Sequence, residues 1–142
     1  MRADRKKLYT ITPQARAHVL DLLSTEIAQD LHIAFAYAYG SLLERDAVHD
    51  VDVGIYLGKE PEGGRERYAL SLAQRLSESA GLPVDVRILN AVPISFLFHV
   101  LRGRLVHCRD ENLLGNIIER TVARYLDIAP LLRRATKEAY TP

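Results

Sequence analysis

Branched and aromatic residues alternate with alanine from Ile33 to Tyr39, and the run stops at Gly40-Ser41. No other feature constrains the fold as tightly. Successive strand side chains point to opposite faces, so period two reads as a β-strand. Ile33, Phe35, Tyr37 and Tyr39 fall on one face, and Ala34, Ala36 and Ala38 on the other. The alanine face predicts a closely packed helix lying over it.

The flanking segments supply helices. Thr12-Pro13 is a helix start, with Thr12 as N-cap and Pro13 in the first turn. Val19, Leu20, Leu22, Leu23 and Ile27 follow at helical spacing and predict a helix over 13–29. Tyr68, Leu70, Leu72, Ala73 and Leu76 predict another over 65–80, stopped by Gly81. Pro93 opens a third over 93–102. Asp110 caps a long last helix from Glu111 to about Ala139, which Pro130 is placed to kink or split. Strands fall at 50–57, 83–89 and 104–108. Helices and strands alternate, so the fold class is α/β (α+β), with one mixed β-sheet and flanking helices. One domain is expected over 1–142, with a core at about 30–108 and the terminal helix at about 111–139.

Chemistry enters with Asp50-Val51-Asp52. Residues two apart on a strand share a face, so the two carboxylates project together. Like charges side by side are costly unless a cation sits between them. Oxygen donors suit a hard divalent ion, Mg²⁺ above all. Val51, Val53, Ile55 and Leu57 take the opposite face. On the strand at 83–89, Val84, Val86 and Ile88 point inward, so Asp85 and Arg87 face the other way, as Asp50 and Asp52 do. Two magnesium ions held there would stabilise the entering and leaving oxygens of a displacement at phosphorus. The Gly40-Ser41 turn offers backbone N–H groups to a triphosphate. The residues alone therefore read as a metal-dependent nucleotide enzyme.

Composition narrows the partners. The formal net charge is +1, which gives no global electrostatic case for direct nucleic-acid binding. Cys108 is the only cysteine, so an internal disulfide and a four-cysteine zinc site are excluded, and a cytoplasmic location is expected. No run approaches the ~18 apolar residues of a membrane span.

The Gly-Ser turn, the Asp-x-Asp pair and the later aspartate together resemble the minimal nucleotidyltransferases of the MNT type, within the DNA polymerase β-like superfamily. The likeness extends to Val84-Asp-Val-Arg-Ile-Leu-Asn90, Leu101-Arg-Gly-Arg-Leu-Val106 and Tyr125-Leu-Asp-Ile-Ala-Pro-Leu-Leu132, and covers roughly residues 30–138. The resemblance implies a polymerase β-like core plus a C-terminal helix. It also implies an antitoxin role: AMP passes from ATP to a tyrosine of a HEPN-domain RNase toxin. Carried onto this chain, Asp50, Asp52 and Asp85 are the catalytic and metal residues, and Gly40, Ser41 and Arg45 the nucleotide-binding ones.

One departure stands out. Eight residues separate Ser41 from Asp50, and the family's usual spacer is about two longer. Glu44 occupies the family's arginine slot, and Arg45 comes one later. Two other readings therefore stay open: an antitoxin that neutralises by binding alone, and a small-molecule nucleotidyltransferase. His49 reads as a loop residue because a hard cation prefers oxygen. Tyr37 and Tyr39 read as core aromatics, with Tyr39 within reach of a base. His18, His32, His99 and His107 lack metal-ligand spacing, and Cys108 reads as a buried thiol. Arg102, Arg104 and Arg109 form either a solvated face or a surface for an acidic partner. The basic cluster Met1–Lys7 and the last helix are candidates for partner contact.

Overall fold

The computed structural model describes residues 7–139. The elements run β1 (Tyr9–Thr10), α1 (Pro13–Ala28), β2 (Ile33–Tyr39), α2 (Ser41–Glu44), β3 (Ala47–Val48), β4 (Val51–Leu57), α3 (Arg65–Ala80), β5 (Val84–Ile88), α4 (Ile94–Leu101), β6 (Arg104–Cys108) and α5 (Glu111–Ala139). Four strands form a mixed sheet in the order β5-β4-β2-β6. β4 and β5 run parallel, joined by α3; β2 is antiparallel to both β4 and β6. The short pair β1–β3 stands apart from it.

Helices cover both faces of the sheet. Leu20, Leu23 and Ile27 of α1 and Leu72 and Leu76 of α3 pack on Ala36, Ala38, Val53 and Ile55. The expected helix over the alanines is therefore present. Leu23 and Ile27 are wholly buried, and Leu23→Ala would cost about 2–5 kcal/mol through lost transfer energy and the cavity left behind. On the other face, Leu97 and Val100 of α4 and Leu114 and Ile117 of α5 pack on Phe35, Tyr37, Tyr39 and Leu89. Gly54 permits this closeness: a Cβ there would lie 3.0 Å from both Leu89 Cδ1 and Val100 Cγ1.

The alternation in β2 holds only from Phe35 onward. Ile33 packs with the α1 and α3 side, and Ala34 with the α4 and α5 side, the reverse of the sequence expectation. A register shift between Ile33 and Phe35 explains it. One extra residue in a strand moves everything beyond it to the other face. α5 passes through Pro130 as one helix rather than splitting. Proline leaves the Leu126 carbonyl without its donor, and Leu126 is exposed, so water can serve it. Leu126, Leu131 and Leu132 of this helix are exposed as well. The pair β1–β3 escaped the sequence reading, because two-residue strands carry no period.

A polar knot closes the end of the sheet where β2 begins. The Asp30 side chain is largely buried there. Its Oδ2 accepts from Tyr68 Oη at 2.6 Å and from Arg75 Nη2 at 3.3 Å. Its Oδ1 accepts from the backbone N–H and Nδ1 of His32, both at 3.0 Å. Burial alone would raise this carboxyl; the hydrogen bonds from Tyr68, His32 and Arg75 outweigh it and hold it below the usual carboxylate range. The knot ties α3 to the turn between α1 and β2. Among the described residues, no helix is long and apolar enough to cross a membrane.

Candidate active site

At the other end of β2 lie the residues to which the sequence points for chemistry. Tyr39 stands opposite Asp52 in the β2–β4 ladder, and Asp52 stands beside Asp85 in the β4–β5 ladder. Neighbouring residues in register share a face. One row therefore crosses three strands: a phenol and two carboxylates. Asp50 lies just ahead of β4, two residues before Asp52. Asp50 and Asp52 are half-buried, and Asp85 is exposed.

Tyr39 reports the charge around it. Burial pushes its phenol up first. The negative charge of Asp52 adds to that, as do Asp85 and Asp50 less strongly, while the Arg87 guanidinium acts the other way. The outcome is a phenol pushed up to about 12. All three sequence-predicted aspartates lie near enough to Tyr39 for their charge to reach its hydroxyl.

Gly40 makes room beside Asp52. Its φ is +79°, a left-handed conformation that side chains disfavour. A Cβ on Gly40 would sit 2.9 Å from Asp52 Oδ2. The glycine therefore serves twice: it turns the chain out of β2 and leaves space for the Asp52 carboxylate. Gly40 also takes the N-cap position of α2, so Ser41 is its first helical residue. Leu43 N donates to the Gly40 carbonyl (3.1 Å) and Arg45 N to the Ser41 carbonyl (2.9 Å). Arg45 ends α2 and is exposed.

An aromatic wall backs the row. The Tyr39 ring meets Phe96 edge-on at 5.7 Å and His99 edge-on at 5.8 Å. Arg87 lies over the Phe96 ring at 5.1 Å, and this ring contact, not an ion pair with Asp85, is its placement. A cleft of about 290 Å³ opens between α2 and the α4–β6 turn, lined by Tyr39, Gly40, Glu44, His99 and Arg102 among others. Phe96 and His99 were not singled out in the sequence for this role; their helical spacing reads equally well as core. His49 is a loop residue as expected, its Nδ1 donating to the Lys7 carbonyl at 3.2 Å. Cys108 is half-buried and free, with burial pushing its thiol up. Residues 1–6 of the basic N-terminal cluster lie outside the described residues.

The donor set fits a hard cation: oxygen ligands only, from adjacent strands, on one face. Among the described residues, no three His, Cys, Asp or Glu side chains are gathered tightly enough to form a metal cluster as they stand.

A mixed sheet flanked by helices, with paired aspartates beside a glycine turn, defines a nucleotidyl-transfer fold. The family model for polymerase beta nucleotidyltransferases matches residues 23–112. The chain belongs to that family. No curated protein matches its sequence. Among solved structures it resembles a chain from the complex of a tri-AMPylated Shewanella oneidensis HEPN toxin with its MNT antitoxin. There the identity is 13%, the TM-score 0.65, and the coverage 86% of this chain and 99% of that one. It also resembles a chain of the MntA-HepT toxin–antitoxin, at 13% identity and TM-score 0.61, covering 92% of this chain and 100% of that one. A third similar structure is a toxin–antitoxin with AMP-PNP, at 14% identity and TM-score 0.64, covering 89% and 98%.

Proposed function

We propose that this chain is the antitoxin of a toxin–antitoxin pair and neutralises its partner by nucleotidyl transfer. ATP is the donor, and the acceptor is a tyrosine hydroxyl of a HEPN-domain RNase toxin. The observation that carries the catalytic part is the Asp52–Asp85 register beside a glycine whose missing side chain accommodates the Asp52 carboxylate. The acceptor and partner rest on the similar solved structures, one of which holds a tri-AMPylated HEPN toxin.

In this reading Asp50 and Asp52 hold magnesium, two ions in all, and Asp85 completes their ligand set. Bound magnesium supplies positive charge to the phosphate oxygens as negative charge moves between them. Gly40 and Ser41 cradle the β- and γ-phosphates through backbone N–H groups, with Arg45 available as a further phosphate ligand. Asp85, the exposed carboxylate, takes the proton from the incoming tyrosine hydroxyl. The hydroxyl oxygen then bonds to the α-phosphorus. The bond from that phosphorus to the bridging oxygen breaks, and pyrophosphate leaves.

The test is direct. Wild-type protein, Mg²⁺ and α-labelled ATP are incubated with a cognate HEPN protein. Label should appear on the partner with wild type and be lost with Asp52→Asn. Equal labelling by both would defeat the catalytic reading. Neutralisation that survives Asp52→Asn would instead favour an antitoxin that works by binding.

A further inference from the structure

The segment from Leu42 to His49 joins the glycine turn to the paired aspartates, yet it has little packing of its own. Only Leu42 and Val48 are buried in it. Its fixed points come from the start of the chain. Arg16 donates from Nε to the Leu42 carbonyl at 2.6 Å and from Nη2 to the Arg45 carbonyl at 3.0 Å. Ile11 N donates to the Asp46 carbonyl at 2.6 Å. Tyr9 and Thr10 pair with Val48 and Ala47.

Arg16 is well placed for this task. It sits in the first turn of α1, where Arg16 N donates to the Thr12 carbonyl (2.8 Å) and the Thr12 hydroxyl accepts from Ala15 N (3.0 Å). Its root is therefore fixed before its side chain reaches across. Carbonyls at the end of a helix lack partners within that helix. A planar guanidinium can serve two of them at once, and charged donors make the stronger hydrogen bonds.

We propose that Arg16 is a positioning residue for nucleotide binding. By gripping both Leu42 and Arg45, it fixes α2 and so sets where Gly40-Ser41 stands relative to Asp50 and Asp52. This rests on the nucleotide reading above. It also accounts for the short spacer: eight residues suffice because an outside residue holds them in place.

Arg16→Met keeps the length and removes the donors. Arg16→Lys keeps the charge but has no fork to span two carbonyls. Two readouts are taken on each full-length protein: affinity for Mg·ATP by calorimetry, and amide hydrogen exchange. Arg16→Met should weaken Mg·ATP binding roughly tenfold, about the worth of one charge-assisted hydrogen bond. It should also speed exchange across residues 41–46 while leaving β4 and β5 protected. Arg16→Lys should fall between wild type and Arg16→Met, and it carries the test alone if Arg16→Met does not fold. Wild-type affinity and exchange in the variants would overturn the proposal, as would exchange that rises evenly through the sheet. If wild type itself takes up no Mg·ATP, the nucleotide reading falls and takes this inference with it, an outcome distinct from the other two.

Discussion

Asp30 lies in the turn before β2 and Asp52 lies on β4 beside the far end of β2; each stands next to a tyrosine, and the surroundings differ in kind. Around Asp30, four donors converge on one carboxylate, and Tyr68 gives its proton to the bond. The result is a carboxyl held low and a tyrosine whose phenol is pushed up, by burial first and then by Asp30. Around Tyr39, negative charge converges instead: Asp52, Asp85 and Asp50 all act on one buried phenol, countered by Arg87. The first arrangement is complete as it stands and stabilises the fold. The second gathers acidic side chains around one phenol, the arrangement proposed above to take a cation.

The comparison breaks first at Asp52. Asp52→Asn keeps the shape and removes a charge from the crowded end. Transfer activity should fall by about a thousandfold. The melting temperature should change little, since the amide keeps the shape of the carboxylate. Labelled-ATP transfer and thermal melting check the two halves, and a large loss of stability would contradict this account of that end.

Asp30→Ala gives the mirror result. It strands Tyr68, His32 and Arg75 donors and should cost about 2–3 kcal/mol in urea unfolding. Affinity for Mg·ATP in the folded protein should stay the same. A lost affinity with unchanged stability would reverse the assignment of the two ends.

Gly40→Ala sharpens the comparison. The positive φ should cost about 1–2 kcal/mol. The added methyl would also press on Asp52 Oδ2, so nucleotide affinity should fall further than the stability loss explains. Calorimetry alongside melting separates the two.

The smallest effect is in the pH profile. Asp30 has a folded value below its ordinary 3.8. Its contribution is therefore complete above the unfolded value and is lost as acid carries the pH down through the folded one. Tyr39 runs in the opposite sense: its contribution is complete below the ordinary 10 and is lost as pH rises toward about 12. Unfolding free energies measured against pH should show Asp30→Asn flattening the acid limb and Tyr39→Phe the alkaline one.

Much of this was legible in the sequence. Helix α3 has the predicted bounds, and α1, α4 and β5 differ from theirs by a residue at one or both ends, because hydrophobic spacing and caps mark them clearly. Asp52 and Asp85 could be put on one face because the strand period fixes which residues share it, whereas Asp50, which the sequence puts on the strand with Asp52, lies ahead of β4. The bulge between Ile33 and Phe35 was hidden, since an extra residue in a strand leaves no mark in composition. Arg16 was hidden for a different reason. Its partners are backbone carbonyls 26 and 29 residues away, and carbonyls have no letter in the sequence. Phe96 and His99 look like core residues until Gly54 lets α4 settle beside Tyr39.

The most direct measurement is a calorimetric titration of ATP into the protein with magnesium and again with a chelator. Binding that requires magnesium, and that Asp52→Asn abolishes, is the predicted result. Binding of equal strength with and without the ion, or no binding in either, would contradict a cation site built from these strands.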